Sequence, residues 1–188
     1  MAERLVILSD MWGTKNGLWI TSYLGYLQQH FDIVFYDIQQ LSNIDSYTLA
    51  SDNKCKEFID KGLDTAVEHL LKKESIPSHY LTFCSGGSIA WHAGLKGLPI
   101  KSLFAIAPKG LETVSGKLSC PTNLVFGEHH NGIPSKDWIE QMDSNSEVIP
   151  NFGEDLYSDE VIIQKVSLYL LESLIRKQFN LKRPLSIS

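Results

Sequence analysis

The chain has 188 residues, a length that suits one domain, because two domains would each be left with a thin core. Hydrophobic residues make up 43% of the sequence and charged residues 21%, a balance that excludes disordered, collagen-like and membrane classes of protein. The net charge is −5, and no cluster of Lys and Arg could follow a phosphate backbone. We therefore expect no nucleic-acid partner.

The first apolar segment, residues 5–8, stops at Ser9 and is too short for a secretion signal or a membrane span. We therefore expect a cytoplasmic protein with no membrane partner. The three cysteines lack paired C-x-x-C spacing, which argues against a disulfide framework and a zinc site. Cys55 falls on the apolar stripe of a helix and Cys120 has no chemical context, so we expect structural roles for both and judge Cys84 separately.

Apolar segments of strand length alternate with longer segments of helical period. This pattern predicts a three-layer α/β/α sandwich around a mostly parallel six-stranded sheet. The predicted strands are residues 5–8, 31–36, 80–83, 102–107, 123–126 and 147–150. The predicted helices are residues 19–30, 52–73, 89–96 and 158–177. We expect a single domain over residues 1–188, with a flexible tail at 180–188.

A glycine-rich turn, Cys84-Ser85-Gly86-Gly87-Ser88, connects the strand at 80–83 to the following helix. In open α/β sheets the ligand crevice lies outside the carboxyl ends of the strands, which is where this turn falls. An abrupt turn of this kind lifts a nucleophile clear of the sheet. It also points the next backbone N–H at a developing oxyanion, beside the positive end of a helix.

The turn resembles the nucleophile elbow of the α/β-hydrolase superfamily, and in particular the G-x-C-x-G-G elbow of the dienelactone hydrolase branch. The resemblance extends to Trp12-Gly13 after the first strand and to residues 124–128, which match the strand before the family's catalytic acid. It implies a lidless hydrolase core. Thr82 stands where the family has its first elbow Gly.

The same resemblance implies that Cys84 is the nucleophile, reacting as a thiolate. A second register of the elbow would make Ser85 the nucleophile, and we favour Cys84 because Gly86-Gly87 then follow as the family's pair. By the same resemblance, the backbone N–H groups of Ser85 and Met11 would form the oxyanion hole, with Trp12 and Gly86 in the substrate-binding region.

The other members of a catalytic triad depart from the family pattern. His130 stands where the family has its Asp, and Glu154 and Asp155 follow the last strand where the family has its His. No histidine follows His130. In one hypothesis the two loops have exchanged roles, with His130 as base and Glu154 or Asp155 orienting it. In the other hypothesis the triad has decayed. We favour the exchange, because each position holds a residue type complementary to the family's.

The resemblance implies hydrolysis of a small ester or thioester, with a small-molecule or carrier-bound acyl group as the substrate. It implies no cofactor, and His129-His130 lack a second pair with zinc-ligand spacing, so we expect no metal. The alternative is a catalytically inactive binding protein on the same scaffold, because a fold alone does not establish activity. The sequence predicts neither the acyl group nor the oligomeric state.

Overall fold

The computed structural model describes residues 2–13, 18–45, 48–49 and 54–180. The strands are β1 Glu3–Leu8, β2 Phe31–Tyr36, β3 Ser78–Phe83, β4 Ile100–Ile106, β5 Thr122–Gly127 and β6 Asn145–Ile149. The helices are α1 Trp19–Leu27, α2 Ile38–Ser42, α3 Lys54–Lys73, α4 Ser85–Leu95, α5 Lys136–Gln141 and α6 Glu160–Asn180, with a short 3₁₀ helix at Leu156–Ser158. The predicted tail lies outside the described residues except for Asn180, which ends α6.

The six strands form one parallel sheet in the order β2-β1-β3-β4-β5-β6. The chain moves in opposite directions across the sheet after β1 and after β2. Right-handed crossovers therefore put α1 and α3 on opposite faces. Helix α1 packs against α6, whereas α3 packs against α2 and α4, which confirms the three-layer sandwich. Within the described residues, no helix has the length and apolarity to cross a bilayer.

The direction of the chain reverses between β1 and β3, which are neighbouring inner strands of the sheet. In open parallel sheets the crevice at such a reversal, beyond the carboxyl ends of the two strands, is the usual ligand site. The loop after β1 starts at Ser9, and the loop after β3 is Cys84 alone. The topology therefore brings the Asp10 loop and the elbow together.

The observed elements differ from the predicted ones mainly at their ends. Helix α4 begins at Ser85, four residues before the predicted start, because its glycines lie in helical turns packed against the sheet. Strand β4 ends at Ile106, since Ala107 has a φ of 48°. The short helices α2 and α5 were not predicted. Each has a side-chain cap, from Asp37 and Ser135 respectively.

Candidate active site

Cys84 forms the apex of the turn between β3 and α4. Its backbone has φ 49° and ψ −123°, a conformation that costs a non-glycine residue about 1–3 kcal/mol. Hydrogen bonds hold it there: the Cys84 N–H donates to Ile106 O at 3.0 Å, and the Cys84 carbonyl accepts from Gly87 N at 3.1 Å. The strained residue of this elbow is Cys84, and Ser85 is the first residue of the helix.

The two glycines after Ser85 let the elbow press against its neighbours. A Cβ on Gly86 would lie 2.7 Å from the carbonyl oxygen of Ser9, and a Cβ on Gly87 would lie 2.7 Å from Cβ of Pro108. Both distances are shorter than any side chain tolerates. The glycine pair is therefore needed to seat the elbow between the loops that follow β1 and β4.

A second thiol lies beside the elbow, because Cys55 in the first turn of α3 reaches the same hydroxyl as Cys84. The Oγ of Ser85 is 3.3 Å from Sγ of Cys55 and 3.8 Å from Sγ of Cys84. The expectation that Cys55 has only a structural role is therefore incomplete. Its half-buried side chain packs at the core, but it also belongs to the thiol cluster of Cys55, Cys84 and Ser85.

The two cysteines of this thiol cluster have pKa values shifted in opposite directions. The hydrogen bond from the Cys84 thiol, supported by the Ser85 hydroxyl and the charge of Lys109, lowers the pKa of Cys55 to about 7 despite its burial. Donating that hydrogen bond and being buried raise the pKa of Cys84 well above its ordinary value. The N-terminus of α3 further favours a thiolate at Cys55. When the cluster ionises, these interactions favour the negative charge on Cys55 and the proton on Cys84, so they oppose the thiolate expected at Cys84.

A carboxyl–phenol pair borders the other side of the elbow. Asp10 accepts hydrogen bonds from the Tyr157 hydroxyl at 3.0 Å and from Trp12 N at 3.1 Å. Burial raises the pKa of Asp10 to about 6, although these hydrogen bonds oppose it. Burial raises the pKa of Tyr157, and the nearby Cys84 and Asp10 raise it further. Sequence reasoning missed Tyr157, whose only signal is its place after the last strand.

The residues predicted for the oxyanion hole and substrate binding surround this pair. Met11 is buried, and its carbonyl accepts from Nε2 of Gln39 at 2.9 Å. The ammonium of Lys54 lies 5.8 Å from the ring centroid of Trp12. The Ser85 amide is at the N-terminus of α4, where N–H groups lack acceptors within the helix. The oxyanion and binding roles of Met11, Trp12 and Ser85 stay predictions.

His130 is buried beneath the loops that follow β4 and β5. Its Nε2 lies 3.3 Å from the carbonyl oxygen of Ala107, and its ring contacts Phe126 at a centroid distance of 5.2 Å. Its Nδ1 has no hydrogen-bond partner in the described part of the chain. Burial and the charge of Lys109 lower the pKa of His130, so the ring is neutral at pH 7 and Nε2–H donates to Ala107.

The carboxylates predicted to orient His130 have other surroundings. Glu154 forms an ion pair with Lys109. Partial burial opposes ionisation of Glu154, but the hydrogen bond and charge of Lys109 outweigh it and lower the pKa of Glu154. Asp155 is exposed at the start of the 3₁₀ helix. His130 hydrogen-bonds to none of Cys84, Ser85, Glu154 or Asp155 among the described contacts, and its role as base stays a prediction.

The loops after β5 and β6 are nevertheless joined at one edge of the sheet. The N–H of His129 donates to Phe152 O at 2.9 Å, and Asn151 N donates to Oε2 of Glu128 at 3.0 Å. Gly127 has no room for a side chain, because a Cβ there would collide with the carbonyl oxygens of Phe152 and Gly153. These contacts explain why His130 and Glu154 come close together.

A groove of about 460 Å³ opens beside the thiol cluster. Cys55 lines it together with Lys56, Lys109, Glu112 and Asn131, whereas Cys84 is only 8% exposed. A second cavity of about 470 Å³ lies along β5, β6 and α6 and has no thiol or imidazole in its lining. The described residues contain no group of three or more side chains able to hold a metal ion.

Comparison of the folded chain with solved structures shows which fold it has. It is similar to a CIB-like hydrolase from Thermoplasma acidophilum, with 22% identity, 89% of this chain and 86% of that chain covered, and a TM-score of 0.64. It is similar to a Klebsiella pneumoniae protein named as a dienelactone hydrolase, with 14% identity, 92% and 85% coverage, and a TM-score of 0.65.

A third similar structure is Est1E from Butyrivibrio proteoclasticus with ferulic acid bound, with 13% identity, 93% and 90% coverage, and a TM-score of 0.60. No protein-family model and no curated protein matches the sequence. The chain has the α/β-hydrolase fold, as its resemblance to that superfamily predicts.

Proposed function

We propose that the protein hydrolyses small esters or thioesters, with Cys84 as the nucleophile. The observation that carries this proposal is the strained backbone of Cys84 at the strand-to-helix turn of an α/β-hydrolase fold. Strain of this kind persists only where the surrounding structure enforces it, and it concentrates at functional positions. The ester-hydrolase class is further supported by the likeness to a protein named as a dienelactone hydrolase and to Est1E.

The reaction requires a group that accepts the Cys84 proton, and the candidate is Cys55, which shares the Ser85 hydroxyl with Cys84. As the Cys84 sulfur attacks the acyl carbon, its proton passes to the Cys55 thiolate. The carbonyl oxygen becomes an oxyanion facing the N-terminus of α4. The Cys55 thiol then protonates the leaving alcohol or thiol as the acyl–oxygen or acyl–sulfur bond breaks. Water then gives a proton to Cys55 as its oxygen attacks the acyl carbon, and Cys55 returns that proton to the Cys84 sulfur as the bond to the acid breaks.

His130 is the other candidate for the proton acceptor. In its neutral form it has a free lone pair on Nδ1, but that atom is buried and unpartnered among the described residues. For the exchanged triad to work, the ring would have to leave Ala107 and turn towards the elbow, and Glu154 would have to leave Lys109. The hydroxyl that Cys55 shares with Cys84 therefore supports Cys55 as the acceptor more directly.

A second candidate function is a catalytically inactive binding protein on the same scaffold. The observation that favours it is that His130 and Glu154 are both engaged with local partners, Ala107 and Lys109. In this alternative Cys84 takes part in no proton transfer. It predicts that the wild-type protein and Cys84→Ala are equally without turnover.

The test is a turnover assay with para-nitrophenyl acetate and an acyl thioester of N-acetylcysteamine. We expect Cys84→Ala to lose at least ~100-fold in kcat, since removing a nucleophile abolishes the covalent route. Cys120→Ser is the matched control, because Cys120 lies away from the elbow at the start of β5, and it should keep the wild-type rate. Equal rates in wild type and Cys84→Ala would overturn the proposal.

A further inference from the structure

The thiol cluster contains two cysteines that sequence separation alone would not pair. The sulfurs of Cys55 and Cys84 approach the same Ser85 hydroxyl, at 3.3 Å and 3.8 Å, and the two thiols are near enough to shift each other's pKa. A disulfide needs the two sulfurs at about 2 Å. Because both sulfurs already lie beside one hydroxyl, rotation of the two side chains can bring them together.

The two cysteines differ in access to solvent. Cys55 is half-buried and lines the groove of about 460 Å³, so a small molecule in that groove reaches its sulfur. Cys84 is buried behind it, with 8% of its surface exposed. A reagent from solution therefore meets Cys55 first, and Cys84 lies close to the mixed disulfide that would form on Cys55.

The charges around the groove favour reaction at Cys55. The ammonium of Lys109 and the hydrogen bonds from Cys84 and Ser85 stabilise its thiolate, and the first turn of α3 adds the positive end of a helix. A thiolate with a pKa near the ambient pH is close to the optimum for attack on a disulfide. The groove lining holds charges of both signs, with Lys56 and Lys109 beside Asp60 and Glu112.

We infer that Cys55 and Cys84 form a dithiol site that undergoes thiol–disulfide exchange with low-molecular-weight disulfides such as oxidised glutathione. The Cys55 thiolate attacks one sulfur of oxidised glutathione, whose S–S bond breaks and releases one glutathione thiolate. The Cys84 sulfur then attacks the Cys55 sulfur, the mixed disulfide bond breaks, and the departing glutathione thiolate takes the Cys84 proton. Two protein thiols are oxidised to one disulfide, and one oxidised glutathione is reduced to two thiols.

This site goes beyond the proposed hydrolase function and does not depend on it. If Cys84 is also the nucleophile of hydrolysis, the disulfide removes it, and the oxidised protein loses turnover until it is reduced. A protein that forms the disulfide but hydrolyses nothing would contradict the proposed function alone. A hydrolase that forms no disulfide would contradict the dithiol site alone.

The test is incubation of the whole native chain with oxidised glutathione, followed by alkylation and intact-mass measurement. We expect the three thiols to fall to one, with no glutathione retained, a peptide linking Cys55 to Cys84, and full reversal by dithiothreitol. Cys84→Ser should stop at one glutathione on Cys55. Cys120→Ser, the matched control, should form the same disulfide as wild type, and circular dichroism should confirm that each variant folds.

Three results of this experiment would overturn the dithiol site. A wild-type protein that stops at a glutathione adduct on Cys55, or that reacts first at Cys120, would overturn the inference. So would a Cys55→Ser variant whose Cys84 reacts as fast as in wild type, because Cys84 would then need no relay. In the supporting case Cys84 of Cys55→Ser stays reduced over the time in which the wild type is fully oxidised.

Discussion

The elbow after β3 and the loops after β5 and β6 occupy neighbouring parts of one sheet edge, yet they use their polar residues differently. At the elbow, Cys84 is held in a strained backbone and its thiol contacts Cys55 and Ser85. In the other loops, His130 binds the Ala107 carbonyl and Glu154 binds Lys109. The elbow therefore has the backbone geometry that we propose for a nucleophile, whereas the predicted base and its predicted partner are engaged with local groups.

This difference indicates that position in a fold does not decide a side chain's task. His130 has the residue type of a general base, but burial against Phe126 and the charge of Lys109 keep it neutral and packed. Cys55 has no motif of its own, yet its position beside Ser85 and Cys84 lowers the pKa of its thiol, and we propose it as the proton acceptor. Substitutions at both regions can separate these two descriptions.

The largest expected effect comes from substituting, one at a time, the two candidates for the proton acceptor. Cys55→Ser should lower kcat about 100-fold or more, the usual contribution of a positioned acid–base group, and His130→Gln should lower it much less. Because Cys55 must be a thiolate to accept a proton, the wild-type rate should fall as the pH drops below about 7, and Cys55→Ser should lack this limb. A larger loss in His130→Gln would instead favour the exchanged triad.

A smaller effect is expected from adding a methyl group to the elbow. Gly86→Ala places a Cβ 2.7 Å from Ser9 O, so we expect it to cost about 1–3 kcal/mol in the free energy of unfolding and to misplace Cys84. Gly25→Ala is the matched control, because a Cβ on Gly25 meets nothing within 4 Å. Within helix α1 it should gain about 0.5–1 kcal/mol. Urea unfolding measures both, and equal stabilities would contradict the tight seating of the elbow.

The buried Asp10 should make stability depend on pH. Its pKa rises from 3.8 to about 6 on folding, so between these values the folded protein binds more protons than the unfolded chain. Its contribution to stability is therefore complete below about pH 4 and is lost as the pH rises through about 6, a change of ~3 kcal/mol. Subtracting the unfolding free energies of Asp10→Asn from those of wild type isolates this slope. A flat difference would show that Asp10 is not desolvated.

The smallest expected effect comes from Lys109, which influences both regions. Lys109→Met should raise the pKa of His130 and the pKa of Cys55, because the ammonium lowers both. The measurements are the NMR titration of the His130 ring and the pH dependence of Cys55 alkylation. Lys117→Met, which breaks an exposed ion pair with Asp143, is the control and should move neither. A shift at only one of the two groups would separate the regions that we connect through Lys109.

Most of the sheet could be predicted from sequence because buried parallel strands are continuous apolar runs. The exception is β6, a mostly exposed strand whose predicted range of 147–150 missed its first two residues. Helices α2 and α5 were missed because five or six residues are too few to show a helical period. The start of α4 was placed late, since Gly86 and Gly87 have poor helix propensity and packing overrides it.

The site was predictable only where it is local in sequence. Cys84 and Ser85 lie in one short motif, so the elbow could be found without a structure. The contact of Cys55 with Cys84 joins α3 to the elbow, and the contact of Tyr157 with Asp10 spans most of the chain. Such contacts arise from tertiary packing and leave no signal in residue spacing.

The most direct test of the account is to trap and locate the acyl group during turnover of para-nitrophenyl acetate. Rapid acid quenching, peptide mapping and mass measurement should find one acetyl group on Cys84 of the wild-type protein and none in Cys84→Ala. An acetyl group on Cys55 or Ser85, or none during active turnover, would contradict the assignment of Cys84 as the nucleophile.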